Sequence, residues 1–155
     1  MFLDCGSLES ISALAEWETG SVENMAQLFY HCTALEKISA LTNWETSNVK
    51  YMGYMFADCI ALNDISALAY WDTGSLLDMG SMFDGCTSLE DISALADWNV
   101  DSVEHMTQLF QNCSKVTNWT VLDEWDVSTK VKELNHSGMF RNCTPPLPSW
   151  AADLQ

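Results

Sequence analysis

Residues 35–59 read LEKISALTNWETSNVKYMGYMFADC, and close variants of this stretch recur along the whole chain. Its final cysteine returns every 27 residues, and the last copy follows after 30. These cysteines are Cys5, Cys32, Cys59, Cys86, Cys113 and Cys143. Self-similarity at a period of about 20–50 residues is the signature of a repeat architecture, and it decides the fold before any other feature.

Eight apolar positions share this period, and the unit reads L-x-x-I-S-A-L-x-x-W-[ED]-T-x-x-V-x-x-M-x-x-[ML]-F-x-x-C. The tryptophans at its centre are Trp17, Trp44, Trp71, Trp98 and Trp125. One unit cannot bury its apolar face alone, but stacked copies can, because each position then forms a continuous ladder. We therefore predict that the ladder residues form the core, with each buried indole N–H bonded to a carbonyl at a turn.

The predicted fold class is an α/β repeat solenoid, a right-handed leucine-rich-repeat-like coil. Each 27-residue repeat would hold one short parallel strand and one short helix or 3-10 segment. We place the strand near Ile38–Leu41, where apolar residues recur every three positions. Val49, Met52, Met55 and Phe56 share one face of a helix, so this half of the repeat predicts the helical segment.

The repeats predict a single solenoid domain over residues 1–155. Its coils span approximately 6–32, 33–59, 60–86, 87–113 and 114–143, with 144–155 as a C-terminal cap or tail. Prolines after Thr144 prevent a further coil, and Trp150 can cover the exposed end. Met1–Cys5 matches the end of a coil, which indicates a segment of a longer chain.

Composition excludes several classes of function. Hydrophobic residues make up 48% of the 155 residues, so the chain can fold. Asp and Glu number 22 against 6 Lys and Arg, and the net charge of −16 argues against nucleic-acid partners. No apolar run approaches the roughly 20 residues that direct membrane insertion requires. This balance suits a basic or polar partner, or cations.

No pattern in the sequence predicts catalysis. The cysteines all occupy the same position of the repeat, so the side chains in neighbouring coils point in the same direction. This geometry disfavours disulfides, and we predict buried free thiols instead. The histidines fall at different phases, and no nucleophile–base pair recurs with them. We therefore predict no catalytic residues and no enzyme.

Two sets of side chains are candidates for partner binding. Glu18, Glu45 and Asp72 follow successive tryptophans, and stacked carboxylates repel unless water, helix capping, a cation or a basic partner offsets them. We predict no cofactor, because no D-x-D-x-D-G loop is present, with calcium as the alternative, since it favours oxygen ligands. The second set is Tyr51, Tyr54 and Tyr70, because tyrosine is favoured at binding hot spots.

The string W-[ED]-T-[SG]-x-V-x-x-M-x-x-[ML]-F-x-x-C-x-x-L resembles the repeat of the BspA-like leucine-rich-repeat surface proteins. It is closest to the variant first noted in mycoplasma lipoproteins, and the resemblance covers roughly residues 1–144. It implies an extracellular or cell-surface protein, often of host-associated bacteria, with adhesion or protein-binding roles. It implies no catalytic residues.

The leading hypothesis is adhesion to a host protein or glycan through the solenoid surface. The alternative is a structural spacer within a larger surface protein. A third interpretation is an ice-binding face, because Thr19, Thr46 and Thr73 recur in register.

Overall fold

The computed structural model describes residues 1–125, 127 and 135–151, and within them equivalent residues of successive coils lie above one another. Equivalent phenylalanine rings are 5.6–6.0 Å apart and equivalent tryptophan rings 6.2–6.5 Å apart, all within 15° of parallel. Equivalent rings of successive coils are nearly parallel. The distance between their centroids therefore measures the spacing of the coils at the phenylalanine ladder and at the tryptophan ladder. The chain is thus a repeat solenoid, as the sequence predicts.

Each coil carries a short 3-10 helix at the start of its apolar stretch. These helices are η1 (Ser12–Leu14), η2 (Ser39–Leu41), η3 (Ser66–Tyr70), η4 (Ser93–Leu95) and η5 (Thr120–Glu124), and η6 (Ser149–Ala151) follows the last coil. In η2 the Leu41 N–H donates to the Ile38 carbonyl at 2.9 Å. The predicted strand at Ile38–Leu41 is therefore wrong, because apolar spacing of three matches the three residues per turn of a 3-10 helix.

Parallel pairing occurs later in the coil, and in the described residues it is confined to single bridges. One column of bridges joins successive coils through Asn24, Tyr51, Asp78, His105 and Asn135. A separate bridge joins Lys37 to Asp64. The expected parallel contact between coils is present, once on the flank of the predicted strand at Lys37 and otherwise at the position just before the methionine ladder, and in the described residues neither set extends into a strand.

The predicted helix or 3-10 segment is present in each coil as a 3-10 helix, but its predicted place over Val49–Phe56 is wrong. Backbone amides there alternate between two kinds of acceptor: the Met55 N–H donates to the Met52 carbonyl at 3.1 Å, whereas the Phe56 N–H donates to Met82 of the next coil at 3.0 Å. Tyr54 lies in the left-handed region with φ of 59°. Tyr54 is the third residue of the turn that this Met55–Met52 bond closes, so the segment runs as successive turns hydrogen-bonded to the next coil instead of as a helix.

The ladders form a continuous core through the described coils. The phenylalanine, cysteine and tryptophan ladders are almost completely buried except at the first coil and, for Cys143, at the last. The indole N–H groups of Trp44, Trp71, Trp98 and Trp125 each donate to a leucine carbonyl of the preceding coil at 2.8–3.1 Å. The prediction that the indoles are buried and bonded to carbonyls is confirmed for these four residues.

The described part of the C-terminal segment covers the last coil. Trp150 lies 5.9 Å from the Phe140 ring, and its indole N–H donates to the Leu122 carbonyl at 2.8 Å. Trp119 packs edge-on between Phe110 and Phe140, at 5.3 and 5.1 Å. These contacts place bulky aromatic rings over the end of the stack.

Candidate binding surface

The residues on either side of the tryptophan ladder form an exposed surface, which we call the Trp corner. Four tryptophans of the ladder are buried and Trp17 is 39% exposed, and the described chain neighbours of all five point outward. The preceding neighbours are Glu16, Asn43, Tyr70, Asp97 and Glu124, and the following neighbours are Glu18, Glu45, Asp72 and Asn99. All nine are exposed. The Trp corner therefore gathers Tyr70 and the three predicted carboxylates on one side of the molecule.

Helix capping does not offset the charge of these carboxylates, because they do not lie at the start of a helix. They follow the tryptophans, and the 3-10 helix of each coil has already ended before its tryptophan. Asp72 accepts the Gly74 N–H at 3.0 Å. Within the described residues, the carboxylates of Glu18 and Glu45 have no hydrogen-bond or ion-pair partner. The Glu45 carboxylate lies over Gly20, where a side chain would collide with it. Two of the three predicted acidic groups are therefore available to an external partner.

A row of threonines beneath the Trp corner fixes its backbone from coil to coil. Thr19, Thr46 and Thr73 are 2–4% exposed, and their hydroxyls donate to carbonyls of the next coil at 3.0–3.1 Å. The acceptors are Glu45, Asp72 and Asn99. The ice-binding interpretation is wrong, because buried hydroxyls cannot present a lattice of donors to ice.

Two adjoining hollows turn the Trp corner into a shallow groove. They have volumes of about 530 and 340 Å³ and share Asn43 and Glu45 in their walls. Trp17 lines the first hollow with 39% of its surface exposed, and Tyr70 lines the second with 75% exposed. A larger hollow of about 750 Å³ lies beside η1 and η2, but no aromatic side chain lines it. Aromatic anchors dominate recognition, so we place the candidate site at the Trp corner.

Tyr51 and Tyr54 lie outside this groove. Tyr51 is part of the bridge column, Tyr54 is the third residue of a tight turn, and they are 42% and 45% exposed. Neither lines a hollow of the Trp corner. The six residues predicted for binding thus divide into four at the Trp corner and two on a separate exposed surface.

The sequence analysis missed a cluster beside Tyr54. The Tyr54 ring meets Tyr30 edge-on at 6.2 Å, and Tyr30 stacks on the His31 ring at 4.6 Å. His31 lies between Asp4 and Asp58, with ring nitrogens 2.9 and 3.3 Å from their carboxylates. The common 27-residue spacing of these three residues was the available signal.

A second cluster that the sequence analysis missed surrounds Asp84. Burial raises the pKa of this carboxyl, although Asn112 and Gln111 each donate to it at 3.0 Å and lower it in part. With both of its oxygens bonded to amides, Asp84 ties two coils together and is not free to act on a ligand.

The cysteine ladder is structural. All six cysteines are free, and five thiols donate to a phenylalanine carbonyl of the preceding coil at 3.0–3.2 Å. Burial raises the pKa of Cys32 to about 11 and that of Cys59 to about 12. The reactive thiolate is therefore scarce at neutral pH, and these side chains serve as small apolar residues.

The described ranges contain no group of three His, Cys, Asp or Glu side chains that could hold a metal ion. They also contain no helix that is long and apolar enough to cross a membrane.

Comparisons with known proteins identify the repeat. A solved leucine-rich-repeat protein from Eubacterium ventriosum has a similar fold, with a TM-score of 0.50 and 16% identity over 86% of this chain. The chain covers only 32% of that protein's length. No curated protein matches at a significant level. The family model described as "Mycoplasma protein of unknown function, DUF285" matches residues 1–119 and 64–150. The chain therefore belongs to this family of leucine-rich-repeat-like proteins, and the resemblance predicted from its repeats is confirmed.

Proposed function

We propose that this chain is a non-catalytic binding module of a bacterial surface or secreted protein, which adheres to a host protein or glycan through the exterior of its solenoid. The family and the fold support a binding or structural module. The observation that carries the binding role is the exposure of Tyr70, which at 75% is well above that of Trp17, Tyr51 and Tyr54, the other exposed aromatic side chains among the described residues. The right-handed winding and the extracellular location belong to this proposal.

A rigid scaffold makes exposed tyrosines effective anchors. The backbone beneath Tyr70 is held by η3 and by the indole N–H of Trp71, which donates to the preceding coil at 3.1 Å. A tyrosine has two side-chain torsions, so little conformational entropy is lost when a partner covers it. The exterior therefore offers broad, preorganised contact area.

Capture on host material tests this proposal. The wild-type chain and a Tyr51→Ala, Tyr54→Ala, Tyr70→Ala variant would be compared for binding to immobilised extracellular-matrix proteins and glycans. We expect the variant to lose at least about tenfold in affinity, because each anchor contributes more than about 1 kcal/mol. Ile60→Ala removes another exposed apolar side chain (47% exposed) and serves as the matched control. Unchanged capture by the triple variant would refute a tyrosine-based surface.

A spacer is the alternative function, and the regular stack favours it because identical coils add length in equal steps. Replacing this segment by an unrelated rigid domain of equal length in a surface-displayed protein separates the two functions. Loss of attachment supports the binding module, whereas retained attachment supports the spacer.

A further inference from the structure

We propose that His31 is a pH-sensitive clamp, which joins three successive coils of the solenoid when its imidazole is protonated. The clamp consists of Asp4, His31 and Asp58, which occupy the same position of successive repeats. Its effect is on the stability of the fold, so it does not rest on the proposed adhesion.

The geometry of the clamp places one ring between two carboxylates. Asp4, His31 and Asp58 have φ angles of 59°, 61° and 57°, so the backbone makes the same left-handed turn at each of them. The His31 Nδ1 atom is 2.9 Å from the Asp4 carboxylate, and its Nε2 atom is 3.3 Å from the Asp58 carboxylate. One imidazole therefore bridges the coil before it and the coil after it, and each ring nitrogen faces an acceptor.

The protonation state of the ring decides how many of these contacts are hydrogen bonds. A neutral imidazole carries one N–H and keeps a lone pair on its other nitrogen, so it donates to one carboxylate and repels the other. The imidazolium ion donates from both nitrogens and adds the attraction between opposite charges. Both bonds of the clamp therefore form only when His31 is protonated.

Tyr30 adds a third contact that favours the protonated ring. Its ring lies over the imidazole of His31, with centroids 4.6 Å apart and planes within 6° of parallel. A cation within about 6 Å of the face of an aromatic ring is attracted by its π electrons. Tyr54 contacts Tyr30 edge-on at 6.2 Å and supports it from the following coil.

The other charged groups near the clamp do not compete with the imidazole. Asp84 lies one coil beyond Asp58, and burial raises the pKa of its carboxyl, with the charge of Asp58 acting in the same direction. The lysine ion pairs of the described residues are made with Glu23 and Glu90. Within the described part of the chain, the two aspartates of the clamp therefore have the imidazole as their ion-pair partner.

Later coils use a contact that does not titrate at the same position of the repeat. Asn112 and Asn142 follow Asp58 and Gly85 in this column, with φ angles of 64° and 62°. The Asn142 side-chain amide donates to the Asn112 side-chain oxygen at 2.7 Å. His31→Asn therefore removes the clamp and introduces a residue that this turn already accepts elsewhere in the chain.

The sign of the pH dependence follows from these contacts. The unfolded chain lacks all of them, so protonation of His31 stabilises the native state relative to the unfolded chain. By linkage, this stabilisation is present below about pH 6.5, where histidine ordinarily titrates, and is lost as the pH rises through that range. Aspartate ordinarily titrates near pH 4, at about two units lower.

Urea unfolding at about pH 5.5 and about pH 8, at low salt, tests the clamp. On acidification we expect the folding equilibrium of the wild-type chain to shift toward the native state by at least about threefold more than that of His31→Asn, because two exposed ion pairs and a cation–π contact are lost together. His105→Asn is the matched control, since His105 is exposed and makes no ion pair among the described residues. It should keep the wild-type response, whereas an equal response of His31→Asn and the wild-type chain would overturn the inference.

A second variant removes the partners and keeps the histidine. Asp4→Asn with Asp58→Asn retains residues that tolerate positive φ, so the turns are preserved. We expect this variant to lose the same pH-dependent increment as His31→Asn, and the triple variant to lose no more. A wild-type response in the aspartate variant would show that the carboxylates do not hold His31, and would overturn the inference.

Discussion

Phe83 shows how one residue sustains the stack. Its ring is fully buried and lies 5.9 and 5.7 Å from the rings of Phe56 and Phe110. We expect Phe83→Ala to lower the free energy of unfolding by about 3–5 kcal/mol, because a cavity opens between two packed coils. Urea unfolding followed by circular dichroism measures this loss.

Tyr51→Ala is the control for Phe83→Ala, since that ring is 42% exposed and its removal should change stability by less than about 0.5 kcal/mol. Equal losses for the two variants would show that the phenylalanine ladder is not a core.

The reactivity of each thiol toward alkylation reports whether that cysteine is buried. Cys5 is exposed, whereas Cys59, Cys86 and Cys113 are fully buried, and burial raises the pKa of each of these three. We expect iodoacetamide at mildly alkaline pH to modify Cys5 in the native chain and the other three only after unfolding, because alkylation needs an accessible thiolate. Peptide mass spectrometry checks this order, and early modification of Cys86 would contradict it.

At the scale of elements, the sequence predicts where the core lies better than which elements form it. The 27-residue columns identify the buried phenylalanine, cysteine and tryptophan ladders correctly. The strand at Ile38–Leu41 fails because threefold spacing also fits a 3-10 helix, whose i→i+3 bonds the pattern alone does not reveal. The helix at Val49–Phe56 fails because Tyr54 adopts a positive φ, which no rule of composition assigns to tyrosine.

The candidate binding surface was likewise predictable only in part from the sequence. The common period was enough to place Glu18, Glu45 and Asp72 in one column, and the structure adds Tyr70 beside it. The separation of Tyr51 and Tyr54 from that column follows from the turns that replace the predicted helix. The sequence gives no sign that Trp17 is 39% exposed, whereas its equivalents in later coils are buried.

The turn residues with positive φ allow a prediction about the stability of the turns. Gln27 has a φ of 59° and an exposed side chain, and its N–H donates to the Gly53 carbonyl at 2.9 Å. We expect Gln27→Gly to stabilise the fold by about 0.5–1 kcal/mol, because glycine adopts this region without steric cost. Thermal unfolding measures the effect.

Gln27→Val tests the opposite direction at the same site. A β-branched side chain is strongly disfavoured at positive φ, so this variant should unfold more readily than the wild-type chain. Equal stability of the glycine and valine variants would show that the turn conformation does not depend on this residue.

At the scale of the whole molecule, each coil depends mainly on its neighbours. Hydrogen bonds from the Trp44 indole and the Cys59 thiol reach only the preceding coil, and Thr46 reaches only the next one. Stability in such a stack is approximately the sum of coil and interface contributions. The stack should therefore tolerate the loss of a whole coil, but not the loss of part of one.

Urea unfolding of a variant that lacks residues 60–86 tests the stacking of coils most directly. Cys59 would then join Thr87 in the same phase of the repeat, so we expect a single cooperative transition with a smaller dependence on urea, because less surface is exposed on unfolding. Deleting residues 60–79 breaks the phase and should abolish the transition. If the in-phase variant also fails to unfold cooperatively, the coils do not stack as interchangeable units.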